Sequence, residues 1–125
     1  MEKKKKIVII EDEVILRETL QDFLEKEDFE VDSAADGEVG VEMVMRKNPD
    51  LVLLDIILPK KNGYDVISEL RENQSTKDVP IILLTNLGSI KDIEKALALG
   101  ATTYLVKADY QLKEIVEKIK GILGM

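Results

Sequence analysis

The chain has 125 residues, enough for one ordinary domain spanning 1–125 and too few for two, and its 45% apolar content suffices for one buried core. It contains neither cysteine nor histidine, which excludes disulfides, thiolate or imidazole metal sites, a Ser–His–Asp triad and a phosphohistidine of its own. The net charge of −7 argues against general binding to nucleic acid, whose phosphates are held by clustered Lys and Arg.

In chain order, Lys3 to Lys6 form a local basic run that reads as a solvated tail. The four apolar residues Ile7 to Ile10 follow, too few for a secretory segment or a membrane span, and read as a first strand. A cytoplasmic protein with no membrane contact is therefore expected. Leu16, Leu20, Phe23 and Leu24 recur with helical spacing. A second strand is expected over 29–33, with Phe29, Val31 and Ser33 on one face. A helix fits 38–47, then a buried strand 51–54, and a helix 65–72. Pro80 precedes a strand over 81–84. Ser89-Ile90-Lys91-Asp92 resembles a capping box opening a helix over 90–99. A last strand covers 102–106, and Leu112, Ile115, Val116, Ile119, Ile122 and Leu123 stripe a final helix. Asp36-Gly37, Asn48-Pro49, Asn62-Gly63 and Gly100 supply the turns. Five βα units of this kind predict an α/β fold, a parallel sheet with helices on both faces and right-handed crossovers. No output domain is expected within these 125 residues.

Ligands of open α/β sheets bind beyond the carboxyl ends of the strands. Here the first strand runs into Glu11-Asp12-Glu13, the third ends at Asp55, the fourth at Thr85 and the fifth at Lys107. Carboxylates converging on one edge repel, by roughly 4 kcal/mol at about 4 Å and an effective dielectric of about 20. Protonation, pairing with lysine or a hard cation relieves this, and Mg²⁺ suits one or two carboxylates plus phosphate oxygens. A carboxylate is also a nucleophile able to form an acyl phosphate. Alone, Glu11 to Glu13 read as acids favoured by a helix dipole, Thr85 as a strand residue and Lys107 as a snorkelling side chain. Asp55, closing the apolar run Leu51-Val52-Leu53-Leu54, is costly as an unpaired charge. Together, at four strand ends, they read as a site.

These residues resemble the receiver domains of two-component response regulators over essentially the whole chain. The resemblance implies a flavodoxin-like, doubly wound five-stranded sheet of order 2-1-3-4-5. It makes Glu11-Asp12 the acidic metal pair and 55–63, with Pro59 and Gly63, the phosphoacceptor loop. Asp55 is then the phosphoacceptor, and Mg²⁺ is held by Asp12, Asp55 and the backbone carbonyl of Ile57, with Glu11 acting through water. Thr85 corresponds to the switch hydroxyl, Lys107 to the phosphate-binding lysine and Tyr104 to the aromatic that turns inward on activation. Such a chain is a phosphoacceptor switch rather than an enzyme acting on a separate substrate. Its phosphoryl donor is a histidine kinase, a histidine phosphotransfer protein or a small molecule, and its output is a protein partner bound through the fourth helix, fifth strand and fifth helix. A monomer or weak dimer is expected.

Three departures from the family pattern involve four positions. Ala108 follows Lys107 in place of proline, and a non-proline cis bond costs about 2.5–4 kcal/mol, so a trans bond is expected. Asn86 stands where a small residue is common and is expected to narrow the site. Apolar Ile57 and Leu87 flank it and are expected to position attacking water poorly, slowing hydrolysis. The rival readings are an unphosphorylated receiver-like interaction module, a flavodoxin-type carrier and an aspartyl phosphatase. The first has no need of Glu11, Asp12, Asp55, Thr85 and Lys107 together. In the second, Glu11 to Glu13 would repel the cofactor's phosphate. The third needs an acid two residues after Asp55, where Ile57 stands.

Overall fold

The central strands are apolar at consecutive positions because both of their faces are covered. The computed structural model, which describes residues 3–86, 90–107 and 111–125, places β1 at Lys6–Ile10, β2 at Glu30–Ala34, β3 at Leu51–Asp55, β4 at Ile81–Thr85 and β5 at Thr103–Val106. All neighbours pair in parallel, in the order 2-1-3-4-5 expected above. Side chains alternate across a strand. Val8 and Ile10 of β1, Val52 and Leu54 of β3, and Ile81 and Leu83 of β4 therefore share one core. It is closed by α2 (Gly37–Lys47), α3 (Gly63–Glu72) and α4 (Ile90–Leu99), through residues such as Val44, Ile67 and Ala96. Ile7, Ile9, Leu51, Leu53, Ile82 and Leu84 point the other way, against Leu20 and Leu24 of α1 (Val14–Lys26) and Ile115 and Ile119 of α5 (Leu112–Leu123). Each side chain fully buried this way contributes about 1.5–3 kcal/mol.

Two helix starts are fixed by side chains. Asp36 accepts a hydrogen bond from the Val39 N–H at 2.8 Å, and Asn62 accepts one from the Asp65 N–H at 3.0 Å. The second strand begins one residue later than the alternation suggested. Phe29, expected as its first residue, precedes the strand and packs with 2% exposure into the core on the α1 and α5 side. Similarly α3 begins at Gly63 rather than at Asp65, because the Asn62 cap sets its first turn. The Ser89 part of the expected capping box and the Lys107–Ala108 bond lie outside the described residues. Among the described residues, no helix is long and apolar enough to cross a membrane.

Candidate functional site

The parallel register brings the ends of β1, β3, β4 and β5 to one edge, and Lys107 ties that edge together. Its backbone N–H continues the β4–β5 ladder by donating to the Thr85 carbonyl at 2.6 Å. Neighbouring strands lie about 4.8 Å apart, so the side chain must cross β4 to meet β3 and the start of the loop after β1. It does so: Nζ donates to Asp55 Oδ2 at 3.0 Å and lies 2.7 Å from Glu11 Oε1. The second contact is a buried ion pair, and Lys107 Nζ is the one cation paired with Glu11 among the described residues. Glu11 Oε2 accepts from the Glu13 N–H at 3.0 Å.

Glu11 is fully buried, Asp55 nearly so, and Asp12 is exposed. Burial holds the Glu11 carboxyl above the usual carboxylate range, against the opposing pull of Lys107 and the Glu13 N–H, and the Asp55 charge adds to the rise. Burial alone would lower the Lys107 ammonium, but its bonds to Glu11 and Asp55 outweigh that and keep it raised. One ammonium thus faces three carboxylates, whose oxygens from Glu11, Asp12 and Asp55 lie within 4.8 Å of one another. The donors are all oxygen and the three negative charges exceed the single ammonium paired with them; these residues fit a hard divalent cation.

Asp55 also opens onto a cavity of about 300 Å³, shared with Ile57, Tyr64, Thr85, Asn86 and Asp92. The Thr85 hydroxyl lines it but donates to the neighbouring Asn86 carbonyl at 2.9 Å, not to Asp55. Ile57 donates its N–H to Asp55 Oδ1 at 3.4 Å and leaves its side chain 75% exposed, while Leu87 lies outside the described residues. Tyr104 is not brought to the cavity; it stands 40% exposed on β5.

Two contributors carried no motif. Arg17 donates to the carbonyls of Glu11 at 2.9 Å and Asp12 at 3.5 Å, holding the loop that presents both acids. Its signal was a cation in a first helical turn, where the dipole disfavours one. Tyr64 walls the cavity, donates to the Asp92 carbonyl at 3.3 Å and carries Lys95 Nζ 4.3 Å above its ring. Only its place after Gly63 hinted at this.

Gly63 locks the loop. Its N–H donates to the Ile56 carbonyl at 2.7 Å, and a Cβ on it would meet Ile56 Cα at 2.6 Å and the Asp55 carbonyl oxygen at 2.7 Å. Both obstacles are backbone, which no rotamer change relieves. Gly63→Ala is expected to lose about 1–3 kcal/mol of stability, read from the urea midpoint.

A sequence profile of the response regulator receiver domain matches residues 7–120. The chain belongs to this family. The "Probable transcriptional regulator ycf27" of Cyanophora paradoxa is 41% identical over 120 residues, which are 96% of this chain and 48% of that protein. The chain spans about half the length of the curated relatives it matches. Among solved structures it is similar to the BeF3-activated N-terminal receiver domain of Klebsiella pneumoniae RstA, with TM-score 0.85 and 33% identity, covering 93% of this chain and 96% of that one. It is also similar to the receiver domain of a sensor histidine kinase from Pseudomonas aeruginosa PAO1, solved with a magnesium ion coordinated in its active site cleft, with TM-score 0.89 and 28% identity over 98% and 99% of the two chains. The parallel α/β sheet is the one the βα alternation anticipated, and its strand order is the one the family resemblance implied.

Proposed function

We propose that this receiver accepts a phosphoryl group on Asp55 from a histidine kinase or histidine phosphotransfer protein and passes the signal on by protein binding. The observation that carries the reading is the Asp55 carboxylate, held between Lys107 and the cavity it shares with Thr85. An Asp55 oxygen forms a bond to phosphorus as the donor's phosphorus–nitrogen bond breaks, and the donor imidazole leaves with the electron pair and takes up a proton. Lys107, already 3.0 Å from Oδ2, neutralises charge that builds on the phosphoryl oxygens. Asp12, Asp55 and the Ile57 carbonyl would hold Mg²⁺, with Glu11 acting through water. Bound there, Mg²⁺ supplies charge neutralisation for the acids and for the phosphoryl oxygens.

The switch follows from the Thr85 hydroxyl. It now bonds the adjacent Asn86 carbonyl, a local partner that a phosphoryl oxygen can replace. Thr85 would then draw in its loop, and the exposed Tyr104 would turn inward, reshaping the face of α4, β5 and α5. The histidine kinase and the output partner would meet the receiver in the cytoplasm.

The test is intact mass after incubation with acetyl phosphate, with Mg²⁺ or with EDTA. One phosphoryl group is expected with Mg²⁺, and EDTA should slow uptake about tenfold or more, equivalent to about 1.4 kcal/mol of barrier. No adduct with Mg²⁺ present would overturn the reading in favour of an interaction module of the same fold.

A further inference from the structure

The edge opposite the acidic site is basic. Lys3, Lys4, Lys5, Lys6, Arg46 and Lys47 line a concavity of about 430 Å³, joined by Asn48 and by a single acid, Asp50. The end of the run that reads as a tail in the sequence, Lys5 and Lys6, is held by the backbone. The Glu30 N–H donates to the Lys5 carbonyl at 2.9 Å, and the Asp50 N–H donates to the Lys6 carbonyl at 2.8 Å. The Lys6 N–H in turn donates to Asp50 Oδ2 at 2.7 Å, so that one acid is already occupied by backbone. Arg46 and Lys47 close the last turn of α2, which Asn48 terminates in the left-handed conformation with φ of 48°.

Cations at a helix C-terminus are favoured by its dipole, and that accounts for Arg46 and Lys47 taken alone. It does not account for four lysines from another part of the chain meeting them. The protein has 25 Asp and Glu against 18 Lys and Arg, so a solvated face drawn from this composition would intersperse acids. Instead only Lys6 finds an acid, Glu30, at 3.9 Å. Among the described residues, Lys3, Lys4, Lys5, Arg46 and Lys47 enter no ion pair. Clustered like charges raise one another's energy, and an anion of matching charge density relieves it.

We propose that this concavity binds a compact anion carrying several phosphate groups. Its volume falls in the range of small-ligand sites. Lysine ammoniums act as point charges for phosphate, and an arginine fork adds a bidentate contact. The same chemistry is offered by a free polyphosphate and by a phosphorylated lipid headgroup. The proposal does not depend on Asp55 or on the acidic edge.

The test uses the whole chain without Mg²⁺ and two probes. The first is inorganic tripolyphosphate in isothermal titration. The second is vesicles of phosphatidylcholine containing phosphatidylinositol bisphosphate, in co-sedimentation. Expected is saturable binding of one tripolyphosphate per chain that weakens with added salt. Lys4→Gln with Arg46→Gln should weaken it about tenfold or more, some 1.4 kcal/mol, while acetyl-phosphate uptake, measured separately with Mg²⁺, stays as in the wild type. Sedimentation with the vesicles but no binding of tripolyphosphate would assign the same site to a headgroup, provided the double variant loses it. No binding of either probe overturns the proposal. So does binding that the double variant retains.

Discussion

Asp55→Asn is expected to take up no phosphoryl group from acetyl phosphate and Mg²⁺, where the wild-type chain gains one by intact mass. The reason lies in how the three acids differ. Glu11 has no exposure and a raised carboxyl pKa, so it is poorly placed to attack a donor. Asp12 is exposed but does not line the cavity that holds Thr85. Asp55 is 6% exposed, lines that cavity, and has Lys107 Nζ 3.0 Å from one oxygen. An asparagine amide has the same shape and no comparable nucleophilicity, so the fold is retained while the chemistry is lost. Lys107 keeps Glu11 at 2.7 Å as a partner, and circular dichroism of the variant should match the wild type. An adduct of unchanged yield in Asp55→Asn would move the acceptor elsewhere and overturn the assignment.

The strands and the edge were legible because they depend on short-range pattern. Continuous apolar runs such as Leu51 to Leu54 announce a strand covered on both faces, and parallel pairing then sends every strand end to one side. That logic sends Glu11 to Glu13, Asp55, Thr85 and Lys107 to one edge, and the family resemblance singles out Glu11 and Asp12 among the three acids. What lay beyond the strand ends was less legible, since loop side chains are aimed by contacts distant in sequence. Glu11 to Glu13 in isolation look like acids serving a helix dipole. In the fold, Glu13 makes no side-chain cap, the first turn of α1 holds no acid, and Glu11 turns inward to meet Lys107. The clasp of Tyr64 on Asp92 joins residues 28 apart. The basic concavity pairs the chain start with the end of α2, a juxtaposition that no local window contains. Phe29 shows the opposite error: alternation alone placed it on a strand, while core packing uses it as a plug just before one.

Lys107→Met is expected to cost about 3–5 kcal/mol of stability at neutral pH in the absence of Mg²⁺, measured by urea denaturation. Methionine keeps an unbranched chain but removes the cation that two buried carboxylates share, and no other cation pairs with Glu11 or Asp55 among the described residues. The loss should depend on pH, and its sign follows from Glu11. Burial already raises that carboxyl with Lys107 present, and the Asp55 charge raises it further. Without the ammonium the rise grows. A carboxyl raised in the folded state binds its proton more tightly there than in the unfolded chain. Its contribution is therefore fully present below the unfolded value of about 4.3 and is lost as pH climbs through the folded value. The variant should accordingly stand closer to the wild type at about pH 5 than at about pH 8. Saturating Mg²⁺ should restore much of the deficit at the higher pH, because a cation among Glu11, Asp12 and Asp55 replaces the missing charge. Phosphoryl transfer should not recover with it, since Lys107 then no longer meets the phosphoryl oxygens. A variant as stable as the wild type at both pH values would mean that Lys107 offsets no buried charge in the resting fold, and the electrostatic account of this edge would fall.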